Sequence, residues 1–288
     1  MSMLLVQGSY QVLNLQPDGD TVAFKPTDPK VFQKVEGCPV KVDGKNTVRL
    51  RLDAIDALET HYSRTGPGAH QPLEFAHKAA EELLAFLGFT DVRHNGETVT
   101  AATPKETPGF ILTQGADKFG RCIALLGVGT PPGTDGSQVD VDVALLRTTA
   151  NHHMLSTGLA YPTFYAKFLP ELRAEMAAVA QQARTAGLGL WPSDVTTAPD
   201  GAVITGMSSL TGDVVILPKL FRRLVDHFNL VEPSLNGFPT FLAGGGDELR
   251  IEPAGTPELS LKPLVEIVNG GTAVRMTISP EDIVFTEG

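Results

Sequence analysis

The sequence predicts an α+β fold in two parts, and three observations carry that expectation. Apolar residues alternate with polar ones in short runs through much of the N-terminal part. Helical spacing appears at 71–86, 142–156 and 168–186. The texture then changes after Trp191, the only tryptophan, at a linker-like stretch, 196–201. A period of two marks a half-buried strand, and a period near 3.6 marks an amphipathic helix.

Taken in order, residues 10–15 and 21–24 read as strands around a Pro17-Asp18-Gly19-Asp20 turn, a hairpin pattern. A polar stretch containing Pro and Lys, 25–44, follows. Residues 48–53 alternate strictly, with Val48, Leu50 and Leu52 on one face and Arg49, Arg51 and Asp53 on the other. Leu73, Ala76, Ala79, Ala80, Leu83 and Leu87 recur at helical spacing, with Pro72 at the start and Gly88 as a stop. Strands are expected at 98–102, 109–113 and 122–126, and a loop at 130–136. The helix at 142–156 carries His152 and His153. Neighbouring helical positions point about 100° apart, so the two rings do not converge on one metal and read as helix surface. The third helix, 168–186, is expected to break near Pro170 and to close at Gly187, with Trp191 packing against it.

Beyond residue 195 the pattern is a short strand at 214–217, a helix at 218–228, a glycine-rich turn at 243–246 and a strand at 249–251. A hairpin over 265–278 follows, turning at Asn269-Gly270. Lys219, Arg222 and Arg223 read as a solvated helix face. The expected division is a domain at 1–195 and a small α+β domain of unassigned role at 196–288.

Composition narrows the function classes. The hydrophobic fraction, 42%, is that of a globular chain with a real core, and the net charge is −10. Residues 1–195 hold 17 Lys and Arg against 21 Asp and Glu, and residues 196–288 hold 6 against 12. The shorter part therefore carries most of the acidic excess, and the chain lacks the overall basic footprint common in nucleic-acid binders. The two cysteines, Cys38 and Cys122, have no zinc-site spacing; they read as two free thiols, with a single bridge as the alternative. The N-terminus has no basic region and only a three-residue apolar run, and no run approaches a membrane span. The expectation is a soluble cytoplasmic chain with no membrane association, although a chain trimmed of a leader reads the same way.

The chemistry sits in three short motifs. Asp18-Gly19-Asp20-Thr21 places carboxylates on a tight turn. Arg51, Asp56 and Glu59 lie on and after an alternating strand. Asp117-Lys118-Phe119-Gly120-Arg121 precedes another strand, with Gly120 letting the backbone turn so that Arg121 projects. Carboxylates on rigid elements suit a hard cation, and Asp20 and Asp56 fit, with the Ala57 carbonyl as a third oxygen. Glu59, three residues beyond Asp56, is placed to orient or deprotonate water. Arg51 is placed to stabilise a phosphorane-like transition state.

The ordered set Asp18-Gly19-Asp20-Thr21-Val22, Arg51…Asp56…Glu59 and Asp117-Lys118-Phe119-Gly120-Arg121 resembles the staphylococcal nuclease (thermonuclease) family. Gly158-Leu159-Ala160 and Leu188-Gly189-Leu190-Trp191 extend the likeness across residues 9–193. The resemblance implies a five-stranded OB-like β-barrel with three packed helices. It implies a calcium-dependent nuclease that hydrolyses phosphodiester bonds of DNA or RNA and leaves 3′-phosphate ends; other divalent cations are open. Carried over residue by residue, Asp20, Asp56 and the Ala57 carbonyl are the metal ligands, and Glu59 works on water. Arg51 and Arg121 clamp the phosphate. Lys118 and Phe119 contact the nucleotide, and Tyr161 or Tyr165 supplies an aromatic platform. The alternative is a catalytically silent nucleic-acid- or protein-binding module on the same barrel. Residues 196–288 are open to self-association or to a protein partner.

Overall fold

The computed structural model describes residues 1–35 and 38–286. Strands β1 (Ser2–Gln11), β2 (Thr21–Pro26) and β3 (Val48–Leu52) open the chain. Met3, Leu4, Leu5 and Val6 are all buried. A strand covered on both faces shows no alternation, which is why sequence pattern placed β1 too late. Asn14, in the left-handed region at φ 61°, lies beyond the strand's end. A 3₁₀ turn, Pro29–Lys34, tucks Val31 and Phe32 into the core from the polar stretch.

The two-residue β4 (Ile55–Asp56) and helix α1 (Leu73–Phe86) come next. Strands β5 (Thr90–Asn95) and β6 (Thr98–Thr103) form a separate hairpin. β5 is mostly exposed and has no apolar alternation, so nothing in its sequence announced it. Strands β7 (Glu106–Ala116), β8 (Cys122–Gly127) and β9 (Gln138–Asp140) follow.

Five strands close on themselves: β1 pairs with β2 and β7, β2 with β3, β3 with β8 in parallel, and β8 with β7. The result is the expected OB-like barrel, with β9 added at the outer edge of β1. Tyr10, Phe24, Leu50, Ile111 and Leu125 fill it.

Helices α2 (Val143–Leu146) and α3 (Ala150–Ser156) replace the single expected helix. The hydroxyls of Thr148 and Thr149 donate to the carbonyls of Leu145 and Leu146 (both 2.7 Å), ending one helix, and the Thr149 hydroxyl caps the next. Local side-chain bonds of this kind compete with helix propagation. His152 pairs with Glu175 and His153 with Glu82, so the two rings do diverge. After β10 (Tyr161–Pro162) and β11 (Phe164–Tyr165), helix α4 runs Pro170–Thr185. Pro170 starts this helix rather than interrupting it, as proline does at a first helical position. Helices α1, α3 and α4 are the three packed on the barrel.

The remaining chain is α+β: β12 (Ala202–Val203), α5 (Met207–Gly212), α6 (Pro218–Leu230), α7 (Phe238–Ala243), β13 (Leu249–Ile251), β14 (Thr256–Glu258), β15 (Val265–Val268), β16 (Ala273–Met276) and β17 (Ile283–Phe285). β15 and β16 form the expected hairpin. The expected strand at 214–217 reduces to one bridge, Val215 with Asp194. β11 pairs in parallel with β17. A second core joins Leu58, Ala76, Tyr161, Ala183 and Trp191 to Leu220, Phe221, Leu224, Phe238 and Ile283. Trp191 lies in this junction, edge-on to Tyr161 (5.1 Å between ring centres) and beneath the Arg184 guanidinium at 4.2 Å.

The cysteines are both free, Cys38 exposed and Cys122 buried. Burial pushes the Cys122 thiol up to about 12. No helix among the described residues is long and apolar enough to cross a membrane.

Because Phe221 is fully buried in the shared core, Phe221→Ala is expected to destabilise the chain by about 3–5 kcal/mol. Urea denaturation followed by far-UV circular dichroism measures this, and a loss below about 1 kcal/mol would show that the second core contributes little.

Candidate functional site

Three chain segments meet around Arg51. On β3 the alternation sends Val48, Leu50 and Leu52 inward and leaves Arg51 on the opposite face, partly buried. After Leu52 the chain reverses through Ala54, whose φ of 64° lies in the left-handed region. That conformation costs a non-glycine residue roughly 1–2 kcal/mol. Asn151 on α3 holds the turn, its amide donating to the Asp53 carbonyl at 2.9 Å. The reversal brings Asp56 back over Arg51, whose Nη2 donates to Asp56 Oδ1 at 2.7 Å.

The third segment is the turn before β2. Arg51 Nη1 donates to Asp20 Oδ2, which also accepts the Ala57 backbone N–H at 2.9 Å. The Thr21 hydroxyl donates to Asp20 Oδ1 at 3.0 Å, and Asp18 Oδ1 accepts the Asp20 N–H at 3.1 Å. Gly19 is needed for the approach: a Cβ there would stand 2.6 Å from the Cβ atoms of both Ala57 and Ala79.

Glu59 follows on a loop fixed by Gln71. The Glu59 N–H donates to Gln71 Oε1 (3.3 Å), the Gln71 N–H donates to the Glu59 carbonyl (2.9 Å), and Gln71 Nε2 donates to the Ile216 carbonyl (2.8 Å). The fold thus brings Asp20, 31 positions earlier in the chain, onto the Arg51, Asp56, Ala57 and Glu59 that follow one another within β3, β4 and the loop after them.

A further residue completes this cluster, and sequence reasoning missed it. Arg222 on α6 forms a two-pronged pair with Asp56, Nη2 to Oδ2 at 2.8 Å and Nη1 to Oδ1 at 3.1 Å. Its Nη1 also reaches Glu59 Oε1 at 2.6 Å. The expected solvated face of Lys219, Arg222 and Arg223 is therefore corrected. Leu220, Phe221, Leu224, Val225 and Phe228 are buried around most of the helix, and Arg222 and Arg223 are only 20% and 17% exposed. Arg223 pairs with Asp247 at 2.5 Å, and Lys219 Nζ sits 3.8 Å from the Phe285 ring centre. The sequence carries only a polar strip beside an apolar face on this helix, which does not distinguish water from a buried partner.

The loop after Glu59 is tied to the same helix. The hydroxyls of Tyr62 (2.9 Å) and Thr65 (2.7 Å) both donate to Asp226 Oδ1 on α6.

Burial raises the cost of every charge here, and the pairs answer it. It would push the Asp56 carboxyl up, but Arg222 and Arg51 outweigh it and hold that group below the usual carboxylate range. Glu59 goes the other way: burial lifts its carboxyl above the ordinary value, with the negative charges of Asp56 and Asp20 adding to the lift, against Arg222. Asp18 is pushed well up by burial and by the charges of Asp20 and Glu59. Arg51 and Arg222 are both held above their ordinary values: burial lowers them, and the facing carboxylates more than reverse it.

Arg121 forms its ion pair elsewhere. Its Nε donates to Asp117 Oδ2 at 2.7 Å, while Asp117 Oδ1 accepts the N–H groups of Phe119 (2.9 Å) and Arg121 (3.0 Å). Gly120, at φ 83°, closes this turn. Two residues before Ile123, the register partner of Arg51, Arg121 falls on the Arg51 face of the sheet by alternation. Phe119 is 63% exposed, with Lys118 Nζ at 5.8 Å and the Arg121 guanidinium at 5.9 Å from its ring centre. Tyr165 is half-buried, with Lys219 Nζ 5.7 Å from its ring. Tyr161 is corrected from a platform to a core residue. It is fully buried, and its hydroxyl donates to Asp194 Oδ1 at 2.7 Å.

The donor types suit a hard cation, but their present bonds do not. Arg51 and Arg222 occupy both oxygens of Asp56, and Arg51 and the Ala57 N–H occupy Asp20 Oδ2. Among the described residues no three His, Cys, Asp or Glu side chains are arranged to hold a metal ion. In this arrangement the site does not fit calcium.

A search of curated proteins finds no match to this chain. A protein-family description does match: staphylococcal nuclease homologue, over residues 49–193. That span is half of the chain and runs from β3 through the turn after α4. The strands that precede it, β1 and β2, complete the closed barrel and supply Asp20. On this match and this fold, the chain belongs to the staphylococcal nuclease family.

Proposed function

We propose that the chain is a nuclease that hydrolyses phosphodiester bonds of DNA or RNA. The observation that supports this most is the convergence of Asp20, Asp56, Glu59 and Arg51 from three separate segments into one bonded cluster. Asp20 and Asp56, with the Ala57 carbonyl, are the residues we propose for calcium or another hard divalent cation once their guanidinium partners give way.

The reaction follows from the chain's own groups. Glu59, its carboxyl raised by burial, takes a proton from a water molecule. The water oxygen attacks phosphorus in line, forming one P–O bond as the P–O5′ bond breaks. The phosphate stays on the 3′ side, and the leaving oxygen gains a proton from solvent. Arg51 and Arg121 donate hydrogen bonds to the equatorial oxygens, where charge grows in the transition state. Lys118 and Phe119 offer an exposed cation and ring to the flanking nucleotide. The net acidic charge favours a modest affinity for nonspecific polyanions.

A second reading, a silent binding module, is favoured by one observation: Asp56 is fully buried and both its oxygens are paired. Incubation with defined oligonucleotides in calcium or in EGTA, followed by end-group analysis, separates the two. Calcium-dependent cleavage with 3′-phosphate ends is expected. No cleavage with any divalent ion, by the wild type and by an Arg222 variant alike, would favour binding.

Glu59→Gln is expected to lower kcat at least ~10²-fold while the melting curve stays cooperative; undiminished turnover would remove Glu59 from the reaction. Arg51→Lys keeps a charge but gives up the fork that joins Asp20 to Asp56, and is expected to lower kcat/KM by about 10²-fold. In the pH profile of kcat/KM, the acidic limb is expected to have its midpoint above 4.5, the ordinary glutamate value, because the working form is the carboxylate and burial raises its pKa. A midpoint below 4.5 would assign that limb to another group.

A further inference from the structure

We infer that Arg222 is a built-in cation that competes with a divalent metal ion for Asp56 and Glu59, so that metal loading requires its withdrawal. The inference rests on the nuclease reading only for the identity of the ion-binding carboxylates. Three observations carry it. First, Arg222 takes both Asp56 oxygens and one Glu59 oxygen, at 2.6–3.1 Å, the carboxylates that an ion at this site would use or lie beside.

Second, the charges leave room for Arg222. Arg51 pairs with Asp20 and Asp56 but not with Glu59, so three carboxylates meet one barrel guanidinium, and Arg222 is the second positive charge bonded to that group, through Asp56 and Glu59. A divalent ion beside Arg222 would place two cations on the same buried oxygens, where their mutual repulsion is poorly screened. Both Asp56 oxygens are already bonded to guanidinium groups while Arg222 and Arg51 hold it.

Third, the helix that carries Arg222 is seated on the loop that carries Glu59. Tyr62 and Thr65 close on Asp226, one turn along α6 from Arg222 and itself buried. The Tyr62 ring also stands edge-on to Phe221 of α6, at 6.5 Å between ring centres, so packing as well as the two hydroxyl bonds ties loop to helix. The barrel's own residues therefore form the ion site, and residues 196–288 decide whether it is open.

Calcium titration of the full-length protein by isothermal calorimetry tests this on wild type and Arg222→Gln. The glutamine variant is expected to bind calcium at least about tenfold more tightly, the direction set by removing a positive charge from the same carboxylates. Equal or weaker binding, or no binding by either folded protein, overturns the inference. If Arg222→Gln fails to fold, Arg222→Lys replaces it, exchanging a two-pronged fork for a single ammonium. About threefold tighter binding is then expected, and an unchanged affinity overturns the inference. The readout is independent of turnover. Tighter binding without cleavage would retain the competition and remove the nuclease reading, while cleavage with unchanged affinity would do the reverse.

Discussion

The bond network of Arg51 is the constraint on which the rest of this structure depends. One guanidinium joins the turn before β2, the strand β3 that carries it, and the reversed β4. None of the three could bury its charge alone. Two carboxylates without a counter-ion in the interior would each cost several kcal/mol, and removing one partner from a buried pair is typically worth about 3–5 kcal/mol. The pairing forces β4 to return over β3, so it explains why a non-glycine residue, Ala54, accepts a left-handed backbone. It also fixes how close the Asp18-Gly19-Asp20 turn must come, and hence why Gly19 has no room for a side chain.

Arg222 extends the same network into the part of the chain beyond the family match. In sequence order residues 196–288 follow the barrel, and nothing in their motifs names a role. In space they supply one member of the cluster and anchor the loop that carries Glu59. Their acidic excess is also not a uniform field. Asp226 and Asp247 are engaged by Arg223 and by hydroxyls near the site.

What sequence could show, and what it could not, follows physical lines. The alternation around Arg51 and the ordered carboxylate motifs were legible because they are local: one strand's period and a few fixed spacings. The helix spans at α1, α4 and α6 were legible for the same reason. β1 was misplaced because burial on both faces erases alternation, and β5 was invisible because an exposed hairpin never needed an apolar face. The break between α2 and α3 depends on which carbonyls two threonine hydroxyls choose. Arg222 was unreadable for a deeper reason: its partners lie more than 160 positions away, and a strip of arginine on a helix looks the same whether it faces water or a buried carboxylate. Tyr161 failed likewise, since an aromatic residue near a site motif gives no hint that its hydroxyl is spent on Asp194.

Trp191 gives the molecule its own optical reporter. It is the only tryptophan, and it stands at the seam where the barrel's last helix meets the C-terminal elements. Its ring is in contact with Tyr161, the register partner of Asp56, and lies under the Arg184 guanidinium, itself paired with Glu281 from the C-terminal part. Emission from this one indole therefore reads the polarity of the seam without any introduced label, and a shift in its colour would mark the two halves parting before either one unfolds.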